Sequence, residues 1–141
     1  MFPQLLLQCL ATDLWAVAVH RYQGGLHVRL RMTVIRLPNG SLWLYSPVPI
    51  DDELANDLAA LGPVEHIIAP NCFHHLHAAA AKRRYPQAKL WAAPGLREKC
   101  PDVPFDAVVS EPELPWEDVL ETLLIAGYLR SRWCVRIFCS T

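Results

Sequence analysis

Apolar residues fall along this chain in short runs, and the spacing inside each run distinguishes strands, with a period of two, from helices, with a period near 3.6. Residues 14–19 form a run of Leu, Trp, Val and Ala that predicts a buried strand. Gly24-Gly25 breaks it. Residues 26–30 alternate weakly, and residues 32–37 predict a second strand whose β-branched Thr33, Val34 and Ile35 suit a pleated surface. Pro38-Asn39-Gly40 supplies the positive-φ residues of a tight turn, and residues 41–46 return through Leu-Trp-Leu-Tyr, so this stretch predicts a hairpin.

Asp51, Asp52 and Glu53 put negative charge where a helix N-terminus favours it, and Leu54, Leu58 and Leu61 follow on one helical face. Gly62 stands where a C-terminal cap is expected, and Pro63 forbids continuation. Residues 64–69 predict a strand and Pro70-Asn71-Cys72-Phe73 a turn. A helix is then expected from about His74 through Ala81, ending near Tyr85 because Pro86 follows. Residues 88–92 again predict a strand. Strands alternating with helical connections of this length imply βαβ units and a sheet with parallel members. Beyond Pro94-Gly95 the periodicity weakens: Pro101, Pro104, Pro112 and Pro115 interrupt it, residues 105–109 suit a short strand, and residues 116–125 fit helix and strand equally. Neither repeats nor a linker divides the chain, so residues 1–141 read as a single domain.

Composition narrows the class. At 141 residues with 52% apolar and 19% charged side chains, the chain can bury a core of its own, which excludes a disordered protein. Thirteen basic against fourteen acidic residues give a net charge of −1, without the basic excess of a general nucleic-acid binder. The charge is unevenly spread: no acid lies between Asp13 and Asp51 or after Glu121, whereas Arg21, Arg29, Arg31, Arg36, Arg130, Arg132 and Arg136 do. Arg29, Arg31 and Arg36 are expected on a solvated strand face. Trp15, Trp43, Trp91 and Trp116 each sit in an apolar segment and are expected to pack inside. Five cysteines without a Cys-x-x-Cys pair indicate reduced thiols and a cytoplasmic location. No signal peptide is expected, and no apolar run reaches the roughly 20 residues of a membrane span.

His74, His75 and His77 lie within four residues, just after a predicted strand and at a predicted helix start. Loops at the carboxyl ends of strands are where α/β sheets place binding sites. A helix N-terminus disfavours imidazolium and so favours the neutral ring that ligates a metal. His74 and His77 share a helix face, and Cys72 adds a soft donor. The competing reading is ordinary capping by Asn71 and the histidines, with Cys72 a small buried filler. His20, His27 and His66 stand isolated and are expected to be structural or on the surface.

Several segments in order resemble an uncharacterised, domain-of-unknown-function group within the metallo-β-lactamase-like superfamily. They are Arg31-Met32-Thr33-Val34-Ile35-Arg36-Leu37, Pro38-Asn39-Gly40, Leu42-Trp43-Leu44-Tyr45-Ser46-Pro47, Leu61-Gly62-Pro63-Val64, Ala69-Pro70-Asn71-Cys72-Phe73-His74-His75-Leu76, Tyr85-Pro86-Gln87-Ala88-Lys89 and Ala93-Pro94-Gly95-Leu96. The resemblance implies an α/β fold, the N-terminal half of an αββα sandwich with a mixed sheet flanked by helices. Active members carry His-x-His-x-Asp-His after the strand and use one or two metal ions to activate water. Aligned with that motif, Pro70 and Cys72 stand for the first two histidines, His74 for the aspartate and His75 for the last histidine, the one identical position. The likeness fades after Gly127, so the ligands that a second half supplies in the superfamily fall outside the matched region, and the domain is expected to be incomplete after about residue 127.

Three functions follow as alternatives. The first is a metal-dependent hydrolase-like protein with a single zinc held by His75, His74 and Cys72, with His77 in support. The second is a non-catalytic scaffold that binds or assembles, expected as a homodimer through a sheet face that a half-sandwich leaves exposed, without nucleic acid or membrane as partner. The third is a thiol enzyme using Cys72 beside His74 or His75. None of them names a small-molecule substrate.

Overall fold

The structure is a computed structural model that describes residues 6–70, 77–110, 113–128 and 131–139. Seven strands, β1 (Gln8–Ala11), β2 (Leu14–Gln23), β3 (Leu26–Arg36), β4 (Leu42–Tyr45), β5 (Val64–Ala69), β6 (Lys89–Ala92) and β7 (Ala107–Val108), lie side by side in chain order. The first four form an antiparallel meander, and β4 to β7 run parallel. Helices α1 (Asp52–Leu61), α2 (Ala78–Arg84) and α3 (Leu96–Lys99) carry the parallel crossovers. A separate antiparallel pair, β8 (Leu120–Tyr128) and β9 (Ser131–Cys139), closes the chain.

The strand order explains where the helices go. Each parallel crossover moves one place in the same direction, and right-handed crossovers of one direction put all their helices on one face. Leu54 and Leu58 of α1, Ala78 and Ala81 of α2 and Leu96 of α3 accordingly share a core with Val17, Met32, Val34, Leu42, Leu44, Ile67, Leu90 and Ala92. The alternate strand positions, Ile35, Trp43, Ile68, Trp91 and Ala107, build a second core on the opposite face with Leu114, Trp116 and Leu120. Residues 113–120 therefore cover that face over β4 to β6. Both faces of the parallel strands are buried, which is why their sequence runs apolar without alternation.

Local chemistry sets the boundaries. The Asp51 carboxylate accepts the Leu54 N–H at 2.8 Å and caps α1. At the β3–β4 turn, Asn39 Oδ1 accepts the Ser41 N–H and hydroxyl at 3.0 and 2.6 Å, while Leu42 donates to the Pro63 carbonyl at 2.7 Å and so ties the turn to the end of α1. Gly62 sits at φ 156°, where a Cβ would collide with the Gly40 carbonyl oxygen.

The expected hairpin, first helix and parallel strands all form. Four details go beyond expectation or against it. Residues 26–36 make one continuous strand, which therefore starts at Leu26 and not at Met32. Helix α2 begins at Ala78 with His77 at its cap position, and the expected start at His74 lies outside the described residues. Residues 115–119 are turns, and β8 starts only at Leu120. Arg36 has the opposite parity to Arg29 and Arg31, so it lies over the Trp15 ring, 5.1 Å from its centroid, and pairs with Asp13 at 2.8 Å rather than joining their exposed face. Trp43, Trp91 and Trp116 are buried as expected, and Trp15 is half-buried against the helical core. Among the described residues no helix is long and apolar enough to cross a membrane.

Candidate functional site

The carboxyl ends of β4, β5 and β6 form the floor of the site to which the sequence points. Beyond the strands the ladder continues: Ser46 donates its N–H to Ile68 O at 2.9 Å, and Ala93 donates to Ala69 O at 3.0 Å. Ser46 holds φ 61°, a left-handed conformation that a residue with a Cβ adopts at a cost of about 1–2 kcal/mol. The strain lies where β4 gives way to Pro47 and Val48, both buried. Pro70, also buried, ends β5. The floor is thus apolar, with a Ser46 hydroxyl and no carboxylate; the first acid after β4, Asp51, is engaged as the α1 cap.

Of the four metal-donor candidates, His77 alone falls within the described residues. It is half-buried at the cap of α2, and its side chain makes no capping hydrogen bond. Cys72, His74 and His75 lie outside the described residues. Among the described residues no group of three or more His, Cys, Asp and Glu side chains comes close enough together to hold a metal ion.

The described groups with displaced protonation equilibria sit elsewhere. Burial pushes the His66 imidazole below its usual pKa; this side chain faces the tryptophan core on the side of the sheet away from the helices. Asp106, just before β7, loses solvation, but the Leu90 N–H at 2.8 Å and the Lys82 ammonium at 2.8 Å more than offset that and hold its carboxyl low. Burial raises the Tyr85 phenol. Perturbed groups often mark active sites; here His66 bonds across β5 and β6 and Asp106 joins β6 to α2.

The chain belongs to the family described as a domain of unknown function, DUF4336, which matches residues 13–121. Solved structures similar to this DUF4336 protein are metallo-β-lactamases. The enzyme from Hirschia baltica superposes with a TM-score of 0.73 at 14% identity, covering 96% of this chain and 66% of the other. DIM-1, solved after exposure to ceftazidime, gives 0.76 at 13% identity over 99% and 67%. The Pontibacter korlensis enzyme gives 0.71 at 12% identity over 96% and 67%. This DUF4336 chain therefore has the metallo-β-lactamase-like fold and spans about two thirds of the length of those enzymes. No protein of curated function matches its sequence.

One association escaped the sequence reading. His20 and His27, taken as isolated, face each other with Nδ1 and Nε2 2.9 Å apart. The signal was the two-residue Gly24-Gly25 turn, which pairs Gln23 with Leu26 and brings positions 20 and 27 onto one face as diagonal neighbours. His66 is structural as expected, buried and bonded to Trp91 at 3.2 Å.

Proposed function

We propose that this chain keeps the metallo-β-lactamase-like scaffold without the dinuclear hydrolytic centre. The observation that carries this reading is Pro70. It is buried at the carboxyl end of β5, in the position that the resemblance assigns to the first histidine ligand, and its nitrogen sits in a peptide bond with no lone pair to give. The donors that follow in the aligned motif, Cys72, His74 and His75, include no carboxylate to hold a second ion or orient a water. This set does not fit a two-metal site, and no hydrolytic step is derived through one.

A second reading is a mononuclear metal-dependent hydrolase, favoured by the place of His77. It starts α2 directly after the segment carrying Cys72, His74 and His75, so the four donors lie along one short stretch. Structural and catalytic zinc sites are built from such imidazole and thiolate sets.

The test is the metal content of the full chain, purified without an affinity tag, together with assays of β-lactam, ester and thioester hydrolysis. No equivalent of zinc, iron or manganese that depends on His75, and no turnover, are the expected results. Two equivalents with turnover overturn the proposal. One equivalent, lost in His75→Ala together with any turnover, establishes the second reading instead.

A further inference from the structure

The distal half of the β2–β3 hairpin holds a second group of donors, unrelated to the segment after β5. We propose that His20 and His27 form a two-imidazole binding site for a divalent transition-metal ion, with zinc as the chemistry they suit.

Beyond the Thr33–Tyr45 pair, β3 has no β4 partner, so residues 19–30 form a two-stranded extension past the carboxyl end of β4. On one face of that extension the register sets His20 opposite Arg29 and Tyr22 opposite His27. The two imidazole planes are within 5° of parallel with centroids 4.8 Å apart, and Nδ1 of His20 is 2.9 Å from Nε2 of His27. Rings this far apart with nitrogens this close meet edge to edge: one nitrogen donates and the other accepts. The Tyr22 ring leans on His27 with its centroid 5.1 Å away. All three side chains are exposed.

Two imidazole nitrogens held at this separation are close to a chelating pair. Zinc binds imidazole nitrogen at about 2.0–2.1 Å, and a tetrahedral angle then separates two such nitrogens by about 3.3 Å. The nitrogens need part by only about 0.4 Å, but each ring must also swing by roughly 35° so that its lone pair meets an ion lying off the line between them, a movement open to exposed side chains. The ring that donates moves its proton to its other nitrogen, both lone pairs turn to the ion, and water fills the remaining positions. The hairpin backbone has already brought the two donors together, so chelation costs little further ordering. Arg29, directly across from His20, opposes a cation, and solvent screens that repulsion at an exposed site.

The experiment is a calorimetric titration with Zn2+ of the full chain, prepared without a polyhistidine tag and stripped of metal. Wild type is compared with His20→Gln, His27→Gln, Arg29→Gln and His75→Ala, each checked for folding by circular dichroism. Outer-sphere changes alone cost roughly 10–100-fold in metal affinity, so loss of a ligand in either His→Gln variant is expected to weaken one zinc equivalent by at least about tenfold. Arg29→Gln should tighten it, and His75→Ala should leave it in place. Zinc also shifts the His20 and His27 ring resonances together by NMR. Wild type without such an equivalent, or equal zinc binding in wild type and both His→Gln variants, overturns the proposal.

Discussion

The indole Nε1–H of Trp91 donates to Nδ1 of His66 at 3.2 Å, across the parallel pair β5 and β6. Because Nδ1 accepts, neutral His66 carries its proton on Nε2, which lies 3.6 Å from Glu65 Oε1. Trp116 closes over the pair edge-on, 5.2 Å from His66 and 4.8 Å from Trp91 between ring centroids. A protonated His66 has no acceptor left for the indole. Burial is the main cause that lowers its pKa, and Lys89 adds to it against the opposing pull of Glu65.

Acid should therefore weaken the fold before any carboxylate titrates. Above the ordinary value of 6.5, His66 is neutral in both folded and unfolded chains, and its contribution is complete. Below 6.5 the unfolded chain takes up a proton that the folded chain refuses, so stability falls as pH falls, with a slope approaching about 1.4 kcal/mol per pH unit. Urea unfolding at pH 7.5, 6.5 and 5.5 measures it. His66→Gln, which cannot titrate, should flatten this slope; an equal slope in the variant would assign it to another group.

The approach of Gly62 to Gly40 makes a sharper demand on the backbone than Gly24, Gly25, Gly40 or Gly95 does. Gly62→Ala meets both an unfavourable φ and the Gly40 carbonyl oxygen, and should cost about 1–3 kcal/mol or more. Gly95→Ala is the control: φ is 85°, but nothing lies within 4 Å of the added Cβ, so only the backbone cost of about 1–2 kcal/mol applies. Thermal melts of the two variants should rank Gly62→Ala as the less stable.

How far the sequence disclosed this fold depended on whether the signal was local. Asn39-Gly40 between alternating strands and Asp51 before Leu54 state their own geometry, so β3, β4 and α1 were legible. Helix α3, at four residues, is shorter than the period needed to detect it. The cap at His77 is not legible, because the apolar pattern of residues 78–81 extends back through Leu76 and nothing in composition says that His77 takes a cap conformation. Trp116 stayed ambiguous because its partners Trp43, Trp91 and His66 are distant in sequence, and only tertiary packing selects a turn there. At the site, the proline at position 70, where the resemblance places a histidine, is read directly. The His20–His27 pair required the hairpin register.

Asp106 links three elements at once. Its carboxylate accepts the Leu90 N–H of β6 at 2.8 Å and pairs with Lys82 of α2 at 2.8 Å, and it immediately precedes β7. Lys82 also donates to the Ala88 carbonyl. Asp106→Ala strands the Leu90 N–H and takes the counter-charge from a largely enclosed Lys82, which keeps its bond to the Ala88 carbonyl, and should cost about 1–3 kcal/mol at pH 7. Since the folded carboxyl is held below its ordinary value of 3.8, this contribution is full at neutral pH and is lost as pH falls through that value. The gap between wild type and variant should narrow as pH falls below 3.8 towards the lower folded value, as read by urea unfolding; a gap that stays constant would mean that the charge contributes nothing.

Trp116 is the side chain that covers the second face of the sheet. It is 1% exposed, stands edge-on to Trp43, Trp91 and His66, and donates its own Nε1–H to Thr122 Oγ1 at 2.9 Å at the start of β8. Trp116→Ala should cost about 3–5 kcal/mol, the range for truncating a buried aromatic. It should also admit water to His66, so the acid slope of the wild type shrinks in the variant. The two effects are linked through one cluster, and a double-mutant cycle of Trp116→Ala with His66→Gln at pH 7.5 should give a coupling of about 0.5–3 kcal/mol. Strict additivity, with the acid slope unchanged in Trp116→Ala, would mean that the two rings do not share a packing unit and that residues 113–120 do not seal this face.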